Sequence, residues 1–445
     1  MIQAKSAPAS APNRTASSLR AMSTEPSTTD SAPIGDTKVD VLVVGAGPSG
    51  CAAALTLSRA GRTVVVIDKA TFPRDKICGD GLTTSALREL DALGLDPKTV
   101  PSWVSVDDVV VRSPSGREVV FPLPSDGGTY AAASRRQDLD LALVQLARSE
   151  GIEIRENVAL SSMTQSDSSA TVLTDAGDTV TASYVIAADG MWSPTRKALG
   201  IAQPGYRGEW HAFRQYFKNV SPRASSELIV WFEPDLLPGY AWSFPLADGT
   251  ANIGFGILRD DSSYKVSDMG PLWRELLARP HVREFLGPDA EPESPHRAWP
   301  IPARVDRIAL SCERTLFVGD AAAATDPMTG EGIGQALLTG RWAAEAIISN
   351  PTNVTACASA YEHSVETELS VDHRFAERLM TILRRPLGAR GAVRIAGMNG
   401  WTRRNFGRWL FEDYPRGLLL TPRRWHRGML TGPGAYRGSH ANSAD

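Results

Sequence analysis

Six residues near the start of the chain carry the clearest chemical signal: Gly45-Ala46-Gly47-Pro48-Ser49-Gly50. They follow the apolar run Val39–Val44, which reads as a short buried strand, and they lead into a small-residue helix over Ser49–Ala60. In that setting Gly45 permits a tight turn, Gly47 leaves room for a pyrophosphate against the backbone, and Gly50 lets helix and strand pack closely. Pro48 and Ser49 begin a helix whose N-terminus presents unpaired N–H groups and partial positive charge to phosphate. A second strand at Thr63–Ile67 is followed by Asp68-Lys69, where a carboxylate can accept hydrogen bonds from ribose hydroxyls. A glycine-rich turn of no function is the bland alternative, and the strand–turn–helix–strand context argues against it. The turn alone does not separate FAD from NAD.

Two later strand ends make that separation. Val185–Ala188 runs into Asp189-Gly190, followed by Ser193 and Arg196. Thr315–Val318 runs into Gly319-Asp320 and then Asp326-Pro327-Met328-Thr329-Gly330-Glu331-Gly332-Ile333, where a helix begins. An acidic turn after a strand is common, but these three in this order are not. In this order the chain resembles the two-dinucleotide-fold flavoproteins of the para-hydroxybenzoate hydroxylase type. The resemblance implies FAD as cofactor, with Gly319 and Asp320 at its ribityl and phosphate part. It also implies that Pro327, Gly330, Gly332 and Ile333 bring a helix N-terminus toward the flavin pyrimidine, where negative charge is stabilised. Arg136, in Arg-Arg-Gln-Asp-Leu-Asp, resembles that group's arginine-led helix on FAD. No second strand–G-x-G-x-x-G–helix is present for a resident nicotinamide, so NAD(P)H or a small reduced carrier is expected to supply electrons transiently.

Two further stretches narrow the resemblance to the geranylgeranyl reductase branch: Phe72-Pro73-Arg74-Asp75-Lys76-Ile77-Cys78-Gly79-Asp80-Gly81-Leu82, and Gly239-Tyr240-Ala241-Trp242-Ser243-Phe244-Pro245. The resemblance runs from Val39 to Ile348. It implies reduction of C=C bonds in a lipophilic prenyl chain (a geranylgeranyl lipid, a prenyl pyrophosphate or a menaquinone side chain). Hydride would come from the flavin and a proton from an acid, for which Cys78 is the candidate. Tyr240, Trp242 and Phe244 would line the dry substrate pocket that such chemistry needs. The bland readings are that Cys78 is a small buried hydrophobe and that the strand aromatics fill a core. A monooxygenase of the same fold, hydroxylating a small aromatic with NAD(P)H, is the rival activity, since the FAD motifs serve both. A flavin-fold protein binding a lipid or partner without turnover is the third reading. Trp299-Pro300-Ile301-Pro302 faintly resembles a flavin halogenase element but lacks its first tryptophan.

These residues need elements to hold them. The fold expected is α/β: a two-dinucleotide-binding-type FAD domain with a Rossmann-like βαβ opening, an inserted mixed or antiparallel substrate sheet, and a helical C-terminal region. The FAD domain is expected in three pieces, 37–100, 131–204 and 303–375, with the sheet at 101–130 and 205–302, where alternating segments such as Glu227–Phe232 read as antiparallel strands. Helical patterns cover Gly332–Ser349 and Ala358–Leu383. Residues 1–36, rich in Ser, Ala, Pro and Thr, are expected to be a disordered tail, either a transit peptide or the product of an upstream mis-start ahead of Met22.

Composition sets outer limits. The chain has 445 residues and a formal charge of −3, which gives no global case for nucleic-acid binding. Its four cysteines and seven histidines make no metal-ligand spacing, and a reducing cytosol is the default compartment. Residues 376–445 form an Arg/Trp-rich region. Between Asp372 and Arg437 lie 14 arginines against four acids, a local net of +10, interleaved with Trp401, Trp409 and Trp425. This pattern is expected either to seat the protein peripherally on an anionic membrane surface or to pair with the acidic body of the same chain.

Overall fold

The computed structural model describes residues 36–125, 127–259, 264–417, 422–425 and 432–437. The tail expected at residues 1–35 therefore lies outside the described residues. The apolar strand β1 (Thr37–Val44), the helix α1 (Pro48–Arg59) and the strand β2 (Val64–Asp68) form the βαβ opening. β1 pairs in parallel with β2 on one side and with Thr179–Ala187 on the other. Glu153–Glu156 and Thr315–Phe317 extend this parallel sheet, and Leu160–Gln165 and Ala170–Thr174 add an antiparallel annex. Residues Val41–Val44 are buried on both faces, which accounts for their unbroken apolar run.

α1 lies under this sheet because its small residues allow it to. Ala52, Ala53 and Ala54 are buried, and the helix Ile333–Ser349 crosses so closely that a Cβ on Gly340 would sit 2.1 Å from the Ser49 carbonyl oxygen. Ser49 of the glycine turn and the helix that follows Gly332 are thereby fixed to one another by backbone contact.

The second sheet runs Glu291–Pro292, Trp210–Lys218, Thr250–Leu258, Tyr240–Leu246, Leu228–Trp231, Asp108–Arg112, Glu118–Pro122, with Arg297–Ile301 also on Trp210–Lys218. Its pairings are antiparallel except one. Leu228–Trp231 lies parallel to Asp108–Arg112. Those two strands are separated in sequence by the return of the chain through the first sheet, so no hairpin dictates their direction. Helices Met269–Ala278 and Pro280–Leu286 cover one face of this sheet, burying Trp231, Phe255 and Trp273.

The C-terminal region is helical: Val371–Leu383, Pro386–Ala396 and Gly400–Leu410. The expected helix at Ala358–Leu383 is interrupted. A helix at Val354–Val365 passes into Val371–Leu383 through a wider turn at Glu366–Ser370. The C-terminal helices pack on the outer strands of the second sheet, with Val393, Ala396 and Phe411 against Val119, Phe121 and Leu123.

Candidate active site

Between the C-terminal ends of the parallel strands, the second sheet and the C-terminal helices lies a cavity of about 810 Å³. Such a crevice at the strand ends is where open α/β sheets bind ligands. Its wall includes Gly45, Gly47, Pro48, Ser49, Asp68, Lys69, Arg136, Asp189, Gly190, Asp320, Gly330, Gly332 and Ile333, as well as Cys78, Tyr240, Trp242 and Phe244. Gly50, Gly319 and Pro327 stand behind this wall. A Cβ on Gly50 would lie 1.8 Å from the Gly45 carbonyl oxygen. Gly319 donates its N–H to Thr339 Oγ1 at 2.9 Å, and the Pro327 carbonyl accepts from Trp210 Nε1 at 2.8 Å. These three shape the wall from outside it.

The glycine turn has the form a pyrophosphate requires. Gly45 has φ +107°, and a Cβ there would meet the Ala188 carbonyl oxygen at 2.3 Å, so only glycine serves. The position of a Cβ on Gly47, by contrast, has only an Arg74 guanidinium nitrogen within reach, at 3.4 Å. Asp68 closes the turn: its Oδ2 accepts from Ala46 N at 2.7 Å and its Oδ1 from Ala70 N at 2.8 Å. Asp189 uses Oδ2 to accept from Thr195 N at 2.8 Å, while its buried Oδ1 has no hydrogen-bond partner. An orphaned carboxylate oxygen, an open glycine and a helix N-terminus converging on one crevice fit a dinucleotide such as FAD.

Basic residues stand around this part of the wall. Arg136 holds Asp140 through Nε and an Nη at 2.8 and 2.9 Å, and Arg74 reaches the same carboxylate at 2.9 Å. Lys76 Nζ lies 3.5 Å from Asp320 Oδ2 and 4.2 Å from the centre of the Trp299 ring. Burial pulls the Lys76 pKa down, against the pull of Asp320. Trp299 therefore has a place in the wall through a cation–π contact, with no halogenase chemistry needed to explain it.

The loop Phe72–Leu82 meets the second sheet at Cys78-Gly79-Asp80-Gly81. Tyr240, Trp242 and Phe244 alternate along one strand, so they share a face. With Phe232 they form a row of rings whose centres are 6.1, 5.9 and 6.1 Å apart. Gly81 is needed where the loop touches this row, since a Cβ there would lie 2.9 Å from the Phe244 ring. Asn252 ties the loop down, donating from Nδ2 to the Cys78 carbonyl and to Asp80 Oδ2, both at 2.8 Å. Tyr240 donates its hydroxyl to the Thr329 carbonyl, joining the aromatic row to the turn before Gly332.

Two sets of residues here carry no assignment from the sequence. Asp80 is wholly buried with φ +67°; Tyr216 donates to its Oδ2 at 2.7 Å, and its Oδ1 has no partner. Burial pushes its pKa up to about 6, against Arg214, Tyr216 and Asn252. Its place between glycines was the available signal. The second set is Glu331 with Glu412 and Arg416. Burial, then mutual repulsion with Glu412, raises the Glu331 pKa, and burial raises that of Glu412. Buried Arg416 bridges Asp326 at 3.4 Å and Glu412 at 3.3 Å. No sequence spacing links the C-terminal region to the Asp326–Gly332 turn. The Cys78 thiol, half-buried in the wall, accepts from Asp80 N at 3.4 Å; burial raises its pKa, so it stays protonated at neutral pH.

Residues 38–338 match the FAD binding domain family. The chain is 35% identical over 379 residues to menaquinone reductase of Mycolicibacterium smegmatis, covering 79% of this chain and 86% of that one. It is 28% identical over 364 residues to digeranylgeranylglycerophospholipid reductase of Methanosarcina mazei, covering 76% and 85%. A geranylgeranyl bacteriochlorophyll reductase-like protein of Thermoplasma acidophilum shares the fold, with TM-score 0.70 at 21% identity over 82% of this chain and 93% of that one. p-Nitrophenol 4-monooxygenase of Pseudomonas putida shares it with TM-score 0.66 at 20% identity, over 83% and 96%.

Proposed function

Because the chain belongs to the geranylgeranyl reductase family of FAD-dependent oxidoreductases, we propose that it reduces C=C bonds in the prenyl side chain of a menaquinone-type quinone. The observation that carries this reading is the continuity of the cavity. One wall holds the glycine turn and Asp320, and the space continues along Phe232, Tyr240, Trp242 and Phe244 to Leu379, Leu383 and Val393 of the C-terminal helices. A small aromatic substrate has no use for that apolar extension, whereas a prenyl chain fills it. The relatives at 35% and 37% identity named menaquinone reductase favour the quinone over a glycerophospholipid.

FAD, when bound, supplies the hydride. The chain's own residues do the rest. Gly45, Gly47 and the start of α1 hold the pyrophosphate, Asp320 and Lys76 the ribityl region, and the Gly330–Ile333 turn the pyrimidine end. The aromatic row holds the alkene and keeps water from it, so cation-like character can develop at carbon without being quenched. Cys78 keeps its proton until an alkene carbon needs it. A substrate of this class resides in a bilayer, so the protein works peripherally from a membrane surface on the cytoplasmic side. NAD(P)H or a small reduced carrier supplies the electrons.

The test is anaerobic incubation of the FAD-loaded protein with dithionite and a menaquinone, read by mass spectrometry. After air reoxidation of the extract returns any menaquinol formed by dithionite to the quinone, products heavier by two hydrogens per reduced double bond support the reading. Unchanged menaquinone, together with oxygen-dependent hydroxylation of a phenol when NAD(P)H is supplied, would replace it with the monooxygenase.

A further inference from the structure

Among the described residues, the most exposed large apolar side chains gather in one place. Leu387 is 79% exposed, Met398 and Trp401 68%, Ile395 65% and Ile382 58%. All five lie within the Val371–Leu383, Pro386–Ala396 and Gly400–Leu410 helices or their links. A monomer rarely displays so many large apolar groups together without a use for them.

The Pro386–Ala396 helix is amphipathic in an unusual sense. Its inward face is Ala389, Val393 and Ala396, and Ala389, Ala392 and Val393 belong to the cavity wall. Its outward face is Leu387, Arg390, Arg394 and Ile395, spaced three, four and one residues apart, which puts them on one side of a helix. Arg385, Arg390, Arg394 and Arg404 are exposed, and no ion pair to a carboxylate is seen for them among the described residues. The arginines deeper in this region behave differently: Arg408 pairs with Asp413, Arg416 with Asp326, and Arg424 with Asp372. The basic excess of the C-terminus thus divides into an internal set that joins the fold and an external set that surrounds the apolar patch.

Apolar side chains ringed by unpaired arginines are complementary to an anionic lipid surface, where the apolar groups enter below the headgroups and the arginines meet the phosphates. The wall at this point is thin. Gly388, Ala389, Gly391 and Ala392 give the helix little bulk, and the cavity lies directly on its other side. We infer that the Pro386–Ala396 helix, with Ile382, Met398 and Trp401 beside it, seats the protein in an anionic bilayer and is the portal through which a membrane-dissolved chain slides into the cavity between Leu383 and Val393. This deepens the prenyl-reductase reading and rests on it.

The experiment uses the full-length, FAD-loaded protein and vesicles of phosphatidylcholine with or without phosphatidylglycerol. Binding is read by co-sedimentation, and depth by quenching of tryptophan fluorescence with brominated lipid, compared between the unsubstituted protein and Trp401→Phe. The variants Leu387→Glu with Ile395→Glu, and Arg390→Glu with Arg394→Glu, alter exposed positions. Flavin content and turnover of a short-chain menaquinone in detergent verify their folding and their chemistry. The expected result is salt-sensitive binding to phosphatidylglycerol vesicles, at least tenfold weaker in both variants. Reduction of vesicle-embedded menaquinone should fall in parallel, with detergent turnover within twofold of the unsubstituted protein. Equal binding by both variants, or none by the unsubstituted protein, would overturn the portal. So would a dimer dispersed by the same substitutions in place of vesicle binding. If detergent turnover is absent in the unsubstituted protein, the prenyl-reductase reading fails, while the binding data still report on the surface.

Discussion

Gly47 and Gly50 belong to one turn, yet substitution should damage them in different ways. A side chain on Gly47 points into open cavity, with only the mobile end of Arg74 nearby, so Gly47→Val should fold and purify with little flavin. A Cβ on Gly50 collides with backbone, so Gly50→Ala should be destabilised on the order of 3 kcal/mol or fail to fold. The ratio of flavin to protein absorbance and a urea titration separate the two outcomes. Asp80 offers a pH signature. Burial raises its pKa from the ordinary carboxylate value to about 6 in the folded protein, so folding favours the protonated acid. That contribution is complete below the unfolded value and is lost as pH rises through about 6. The free energy of unfolding should therefore fall across this interval by an amount on the order of 3 kcal/mol, and Asp80→Asn should flatten the fall. An unchanged slope in the variant would assign the pH dependence to other groups. Cys78→Ser is expected to retain FAD and to slow alkene reduction; unchanged turnover would leave the thiol as packing.

Elements that are remote in sequence support the flavin-side turn. The turn Asp326–Gly332 is held internally by Asp326 Oδ1, which accepts from Met328 N at 2.9 Å and Thr329 N at 2.7 Å. From outside it is held by Arg416, which stacks against Trp409 and donates to Thr329 Oγ1 at 3.3 Å. Arg416 and Asp326 are almost fully buried, so neither can trade its partner for water. Removing one partner of such a pair costs about 3–5 kcal/mol, because the other charge is stranded. Arg416→Met should show a loss of that size by chemical denaturation and should weaken FAD binding. Adding Asp326→Asn to the same chain should recover part of the stability. No recovery would mean that the arginine acts through packing rather than charge.

At the scale of the molecule, three bodies of structure surround one cavity: the parallel sheet, the second sheet and the C-terminal helices. A ligand touching all three links their stabilities. Adding FAD to apoprotein at about a hundred times its dissociation constant should stabilise the fold by about 2.7 kcal/mol. The melting curve should shift as a single transition, detected equally by far-ultraviolet circular dichroism and by tryptophan fluorescence. A shift confined to one probe would show that the cofactor stabilises only the parallel-sheet part. No helix among the described residues is long and apolar enough to cross a membrane.

What the amino-acid sequence determined alone is whatever depends on near neighbours. The βαβ opening follows from an unbroken apolar run, a glycine turn and a small-residue helix. The sharing of one strand face by Tyr240, Trp242 and Phe244 follows from a period of two. Ordered along the chain, the three acidic or glycine-rich strand ends carry the family resemblance that implied FAD. Tertiary structure decided whatever depends on distant parts meeting. The parallel pairing of Leu228–Trp231 with Asp108–Arg112 joins strands that no short turn constrains. Asp80 acquires its raised pKa from being enclosed, against the lowering pull of Arg214, Tyr216 and Asn252 on strands far along the chain. The C-terminal arginines look alike in sequence, and only packing divides them into a set that neutralises buried carboxylates and a set left outside around exposed Leu387, Ile395 and Trp401. Burial and pairing are properties of the assembled fold, and local residue type does not encode them.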